Sequence, residues 1–73
     1  MNENKVILLR HIDSPLCDDM EMFLQEINRP YITYYTEDEP TIITLPFALT
    51  YKGENGFATF KHINESKNNN HEN

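Results

Sequence analysis

With 73 residues, twelve acidic against six basic side chains and a formal charge of −6 at pH 7, the chain has the size of one domain with a small core, because at this length folding buries only about 60% of the surface an unfolded chain exposes. The charge balance argues against direct nucleic-acid binding, since phosphates would be repelled rather than neutralised, and favours a basic protein partner. A single cysteine excludes an internal disulfide framework and fits a reducing, cytoplasmic setting; Met1–Lys5 carries no basic leader and Val6–Leu9 is too short for a signal-peptide core or a membrane span, so a soluble protein is expected.

Val6-Ile7-Leu8-Leu9 is a continuous apolar run between Lys5 and Arg10-His11, which predicts a central strand buried on both faces. Leu16, Met20, Phe23, Leu24 and Ile27 then follow the i, i+4, i+7, i+8, i+11 spacing of one helical stripe. Ser14 suits the N-cap, Pro15 the first turn, and Asp18 and Asp19 the positive helix end; Asn28-Arg29-Pro30 closes the helix, because the residue before a proline avoids helical geometry. Tyr31–Thr36 is β-branched and aromatic and predicts a second strand, followed by an exposed acidic loop, Glu37-Asp38-Glu39-Pro40.

Thr41–Thr44 is also β-branched, but Pro40 and Pro46 bracket it, and it reads as an extended approach rather than a full strand. Phe47–Lys52 and Phe57–His62 read as a hairpin through Gly53-Glu54-Asn55-Gly56, whose Asn-Gly pair supplies positive φ angles. Residues 64–73 are polar and asparagine-rich and read as a disordered tail. The expected organisation is one domain over 1–63 and a tail over 64–73: an α/β (or α+β) chain of β-α-β-β-β order with a mixed four-stranded sheet, one main helix and a right-handed parallel β-α-β unit.

The apolar first strand, the Ser14-Pro15-Leu16-Cys17 turn that opens the helix, the second parallel strand, and Thr44-Leu45-Pro46 leading into a hairpin together resemble the glutaredoxin branch of the thioredoxin-like fold over residues 5–63. The resemblance implies a Cys-Pro-x-Cys motif at the helix start, here with Ser14 in place of the nucleophilic cysteine. It also implies a cis proline facing that motif and holding substrate backbone, a role that falls to Pro46 with Thr44 and Leu45 beside it. The chain departs from the family in the missing first thiol, in a Cys17–Pro46 interval too short for a second helix, and in the absence of a terminal helix after the hairpin.

A serine hydroxyl neither ionises near neutral pH nor forms a sulfur–sulfur bond, so Ser14 does not start thiol–disulfide exchange. Cys17 lies at helical spacing from Met20, Leu24 and Ile27 and is expected at the edge of the buried stripe, with Asp13, Asp18, Asp19 and Glu21 nearby to oppose a thiolate. His11, Cys17 and His62 have no metal-ligand spacing, Ser14 lacks a Gly-x-Ser-x-Gly elbow, and Gly53 and Gly56 do not make a phosphate loop. Tyr34 and Tyr35 fall on opposite strand faces, which leaves one of them for an interface; Phe47, Leu49, Tyr51, Phe57 and Phe60 are expected in the core.

The sequence thus points to a non-catalytic, cofactor-free protein-binding module. Its surface comprises Ser14, Pro15, Asp18, Asp19 and Tyr34 together with Thr44, Leu45 and Pro46, and its character suits a viral or mobile-element modulator of a host protein. Two alternatives stand beside it: an oxidoreductase in which Cys17 forms mixed disulfides with glutathione or a client protein, and an acidic mimic of DNA.

Overall fold

Val6–Arg10 forms β1, and its alternation decides the architecture: Val6 and Leu8 are fully buried, whereas Ile7 and Leu9 are only half-buried. In the computed structural model, which describes the backbone of residues 5–72 and the side chains of residues 5–65, the elements that follow are α1 (Leu16–Glu26), β2 (Tyr31–Tyr35), β3 (Thr41–Thr44), β4 (Leu49–Lys52) and α2 (Gly53–Glu72). The chain is α/β, with one mixed sheet in the order β2-β1-β3-β4. β1 runs parallel to β2 through the α1 crossover and antiparallel to β3, and β3 is antiparallel to β4. β1 is central as expected, but only its helix side is covered.

α1 obeys its stripe. Met20 and Leu24 are fully buried, and Leu16, Phe23 and Ile27 pack against them. The helix ends in a Schellman arrangement: Asn28 takes the left-handed conformation (φ 59°), its N–H donates to Gln25, and the Arg29 N–H donates to Leu24 at 2.9 Å. Asparagine serves where glycine is commonest because it tolerates that conformation best among residues with a side chain. At the other end the cap position is Pro15 rather than Ser14. Ser14 contributes from one residue earlier, its Oγ accepting from the Leu16 N–H at 3.3 Å.

The second half of the chain departs from the sequence reading in three places. Thr41–Thr44 is a full interior strand, β3, hydrogen-bonded on both sides; the two prolines that argued against it lie just outside its ends. The expected strand Phe47–Lys52 begins only at Leu49, because 45–48 form the turn between β3 and β4, with a cis Leu45–Pro46 bond and Ala48 at φ 56°. Phe47, expected in the core, is 81% exposed on that turn.

The third departure is the largest. Gly53–Gly56 is not a hairpin turn and Phe57–His62 is not a strand; both belong to α2. Gly53, at φ 68°, swings the chain out of the sheet as soon as β4 ends, and its N–H is taken by the Pro40 carbonyl at 2.8 Å. Phe57 and Phe60 are both buried. A strand would place these two on opposite faces, whereas a helix places residues three apart on one face. Gly56 is needed for closeness: a Cβ there would meet the Tyr51 backbone, 2.9 Å from its Cα.

Phe23 lies edge-on to Phe57 and Phe60, with centroids 6.0 and 5.9 Å away, and Tyr51 lies 5.3 Å from Phe60. This aromatic seam joins α1, α2 and β4 on one side of the sheet. α2 is a terminal helix after the last strand, the element the sequence reading found missing. The expected polar tail continues it in backbone path to Glu72; Asn73 lies outside the described residues.

Candidate functional site

Parallel strands joined by a crossover helix leave a crevice beyond their carboxyl ends, where the chain departs in two directions, and open α/β sheets bind ligands there. In this chain the crevice lies between the β1–α1 turn and the β2–β3 loop. A cavity of about 470 Å³ is lined by His11, Ile12, Asp13, Tyr35, Thr36 and Glu37. Beside it, a second hollow of about 320 Å³ is lined by His11, Ser14, Glu37, Asp38, Glu39 and Pro40. Four carboxylates border the two, and one of them, Asp38, is paired with Lys52 Nζ at 2.7 Å.

That ion pair and short turns hold the loop. The Asp38 N–H donates to Thr36 Oγ1, the Glu39 N–H to Asp38 Oδ1, and the Thr41 hydroxyl to the Glu39 carbonyl. The Lys52 ammonium, and after it the Glu39 N–H, hold the Asp38 carboxyl below the usual carboxylate range, and Asp38 in turn raises Lys52. Apolar surface accompanies the charge, for Ile12 is 79% exposed and Tyr35 73%.

Cys17 lies under the rim of this crevice, not in it. Its side chain is 2% exposed, and its thiol donates to the Ser14 carbonyl at 2.8 Å. Disulfide exchange needs a sulfur that can reach its target, and this one is packed behind the turn that opens α1. Asp18 and Asp19 project from the first turn of α1 into solvent. Arg10 anchors that turn to the end of β1, reaching Asp18 at 3.1 Å and Glu21 at 3.0 Å. Glu21 also accepts from the Tyr31 hydroxyl at 2.7 Å; burial first, and this bond second, raise the Tyr31 phenol above its ordinary value.

The residues expected to form one binding surface fall into two groups that do not meet. Ser14, Pro15, Asp18 and Asp19 stand at the carboxyl end of β1. Thr44, Leu45 and Pro46 stand at the opposite end of the sheet, because β3 is antiparallel to β1 and pairs Thr44 with Val6 but Thr41 with Leu9. Pro46 is cis, as the resemblance implies for the residue in that role, yet it does not face the helix start. The proline that shares a hollow with Ser14 from the facing loop is Pro40, buried where the acidic loop enters β3. Sequence reasoning missed it by denying strand character to Thr41–Thr44, the run that places Pro40 at a strand entrance.

Thr44, Leu45 and Pro46 instead border a groove of about 280 Å³ with Phe47, Leu49 and Ile63 among its walls. Tyr34, 56% exposed, belongs to neither end; it stands on the outer strand β2, on the side of the sheet away from the helices. His62 is exposed on α2, away from His11, and among the described residues no three His, Cys, Asp or Glu side chains stand close enough to hold a metal ion. Nor, among the described residues, is any helix long and apolar enough to cross a membrane. No protein-family model, curated protein or solved structure matches the chain.

Proposed function

We propose that this chain is a small non-catalytic protein-binding module on a pared-down glutaredoxin-like scaffold, and that it receives a basic, extended segment of a partner protein in the acidic crevice at the carboxyl ends of β1 and β2. One observation carries the reading: the only thiol, that of Cys17, is buried behind Ser14, while the crevice in front of it is open and bordered by Asp13, Glu37, Asp38 and Glu39. Support for the scaffold comes from the sheet order, the parallel β1–α1–β2 unit, the terminal helix and a proline on the loop facing the helix start. The partner's chemistry follows from charge and shape, since a lysine or arginine segment would meet carboxylates and rest its aliphatic stems on Ile12 and Tyr35.

Small size, net charge of −6 and an asparagine-rich end suit a viral or mobile-element protein acting on a host factor in the cytoplasm. The test is titration of the full chain with a lysine- and arginine-rich peptide of about ten residues. Binding should weaken steeply between about 0.05 and 0.5 M salt, as screening shortens the reach of the carboxylates, and Glu37→Lys with Glu39→Lys should abolish it. Cys17→Ala should leave it intact. A crevice that ignores such peptides, or a function lost with Cys17→Ala in a chain that still folds, would return the protein to the glutathione-type alternative.

A further inference from the structure

A second surface, the outer edge of β2, carries an inference of its own and shares only Tyr35 and Glu37 with the crevice. β2 is one border of the sheet, and its sequence, Tyr31-Ile32-Thr33-Tyr34-Tyr35, has none of the devices that keep strand borders from pairing: no proline, no lysine, no bulge. The opposite border, β4, has them. It carries Lys52, enters from Ala48 at positive φ, and turns directly into α2. On β2 three large side chains remain wet: Ile32 is 47% exposed, Tyr34 56% and Tyr35 73%.

The ladder fixes which backbone groups point outward. The Thr36 N–H donates to the Arg10 carbonyl at 2.8 Å, and Arg10 is in register with Tyr35. Alternation along a strand then turns the N–H and C=O of Tyr34 and Ile32 toward β1 as well, and leaves those of Tyr31, Thr33 and Tyr35 facing away from the sheet. Pro30, the one position here without an N–H, falls on the inward set and obstructs nothing.

We propose that β2 pairs antiparallel with β2 of a second copy of this chain, with Thr33 on the two-fold axis, so that two four-stranded sheets become one of eight strands. In this register Thr33 faces Thr33, and Tyr31 faces Tyr35; these are the outward-pointing residues, and each pair exchanges two N–H···O bonds. Ile32 faces Tyr34 in the closer, non-bonded pairs, where cross-strand aromatic and β-branched contacts are strongest. With the register continued two residues past each end of the strand, Arg29 of each copy comes opposite Glu37 of the other. The edge is therefore complementary to itself in hydrogen bonding, apolar contact and charge, as an isologous two-fold interface requires. The register two residues to one side keeps the bonding but sets Arg29 against Tyr35 and loses the charge match; the one to the other side sets Glu37 against Tyr31 and moves the partner of Arg29 to Glu39, at the far end of the bend that follows β2.

The seam is about 17 Å long at roughly 3.3 Å per residue, below the size of a standard stable interface. With −6 on each copy opposing the encounter, the dimer should be weak, with Kd on the order of 0.1–1 mM near 0.15 M salt. Sedimentation velocity of the full chain from about 10 μM to 1 mM should show a reversible monomer–dimer equilibrium. Amide exchange by NMR should show the Thr33 and Tyr35 N–H protected only at high concentration, while that of Tyr34 is protected throughout.

Arg29→Glu should raise Kd by about 3- to 10-fold, as should Glu37→Arg, and the double exchange should restore it to within about 2-fold. Circular dichroism of each variant confirms that it folds. A chain that stays monomeric at 1 mM overturns the proposal and leaves β2 to an extended strand from another protein. A dimer indifferent to both single reversals, or one whose Thr33 amide exchanges equally at all concentrations, overturns it too. Arg29 lies at the far end of its own sheet from the crevice, and the dimer is scarcely populated at about 10 μM protein, so Arg29→Glu should not change binding of the basic peptide there; the two readings then fail separately.

Discussion

Cys17 is the residue around which the sequence invites a redox reading, and its surroundings decide otherwise. Its sulfur is buried and held against the carbonyls of Ser14 and His11. A thiol-directed alkylating reagent should label the native protein far more slowly than the urea-unfolded chain, in proportion to the open population; equal rates in the two states would show the sulfur to be accessible. Cys17→Ala removes a small buried group and should cost about 1 kcal/mol of stability, read from urea titration. Asp38 supplies a pH test. Its carboxyl is held low in the folded protein by Lys52, so the pair stabilises above the unfolded carboxyl range, and the benefit disappears as pH falls through the depressed folded value. Both groups are at the surface, so Asp38→Asn should lower Tm only slightly at neutral pH and by less in acid, a difference that thermal melts at the two pH values would show.

Among the elements, α2 marks the limit of what the sequence displayed. α1 was legible because several signals agreed: a stripe at helical spacing, acidic residues in its first turn, and Asn28-Arg29-Pro30 at its end. For 53–62 the local signals conflict. Asn55-Gly56 is a strong turn pair, and the helical evidence reduces to Phe57 and Phe60 three apart, which only the aromatic seam with Phe23 makes decisive. Gly56 is present for backbone proximity to Tyr51, which no local pattern reveals. Gly56→Ala should therefore destabilise by about 1–3 kcal/mol, the usual cost of overpacking, and drop Tm by several degrees for a domain of this size. If it instead raised Tm, as alanine does in an unconstrained helix, α2 would not approach β4 so closely. β3 was misread because prolines at 40 and 46 looked like interruptions when they were boundaries. That error carried over to the site, since recognising β3 as a strand antiparallel to β1 is what places Pro40, rather than Pro46, in the hollow with Ser14.

At the scale of the molecule, the helices cover one side of the sheet and leave Ile7, Leu9, Ile32, Tyr34 and Ile43 on the other, half-buried or exposed. The acidic crevice at one end and the groove by Phe47 at the other are separated by the length of the strands, and Phe47→Ala should leave peptide binding at the crevice unchanged in the same titration. The one-sided sheet also has a calorimetric consequence. Unfolding exposes only the apolar surface that folding had withdrawn from water, and the heat-capacity increment follows that surface; globular chains of 73 residues typically show about 0.9–1.1 kcal/mol/K. A sheet already wet on one face has less to expose. The increment should fall below that range, the melt should be broad, and stability should change little with temperature around its maximum: a flat-topped curve, set by which side of four short strands the helices left open.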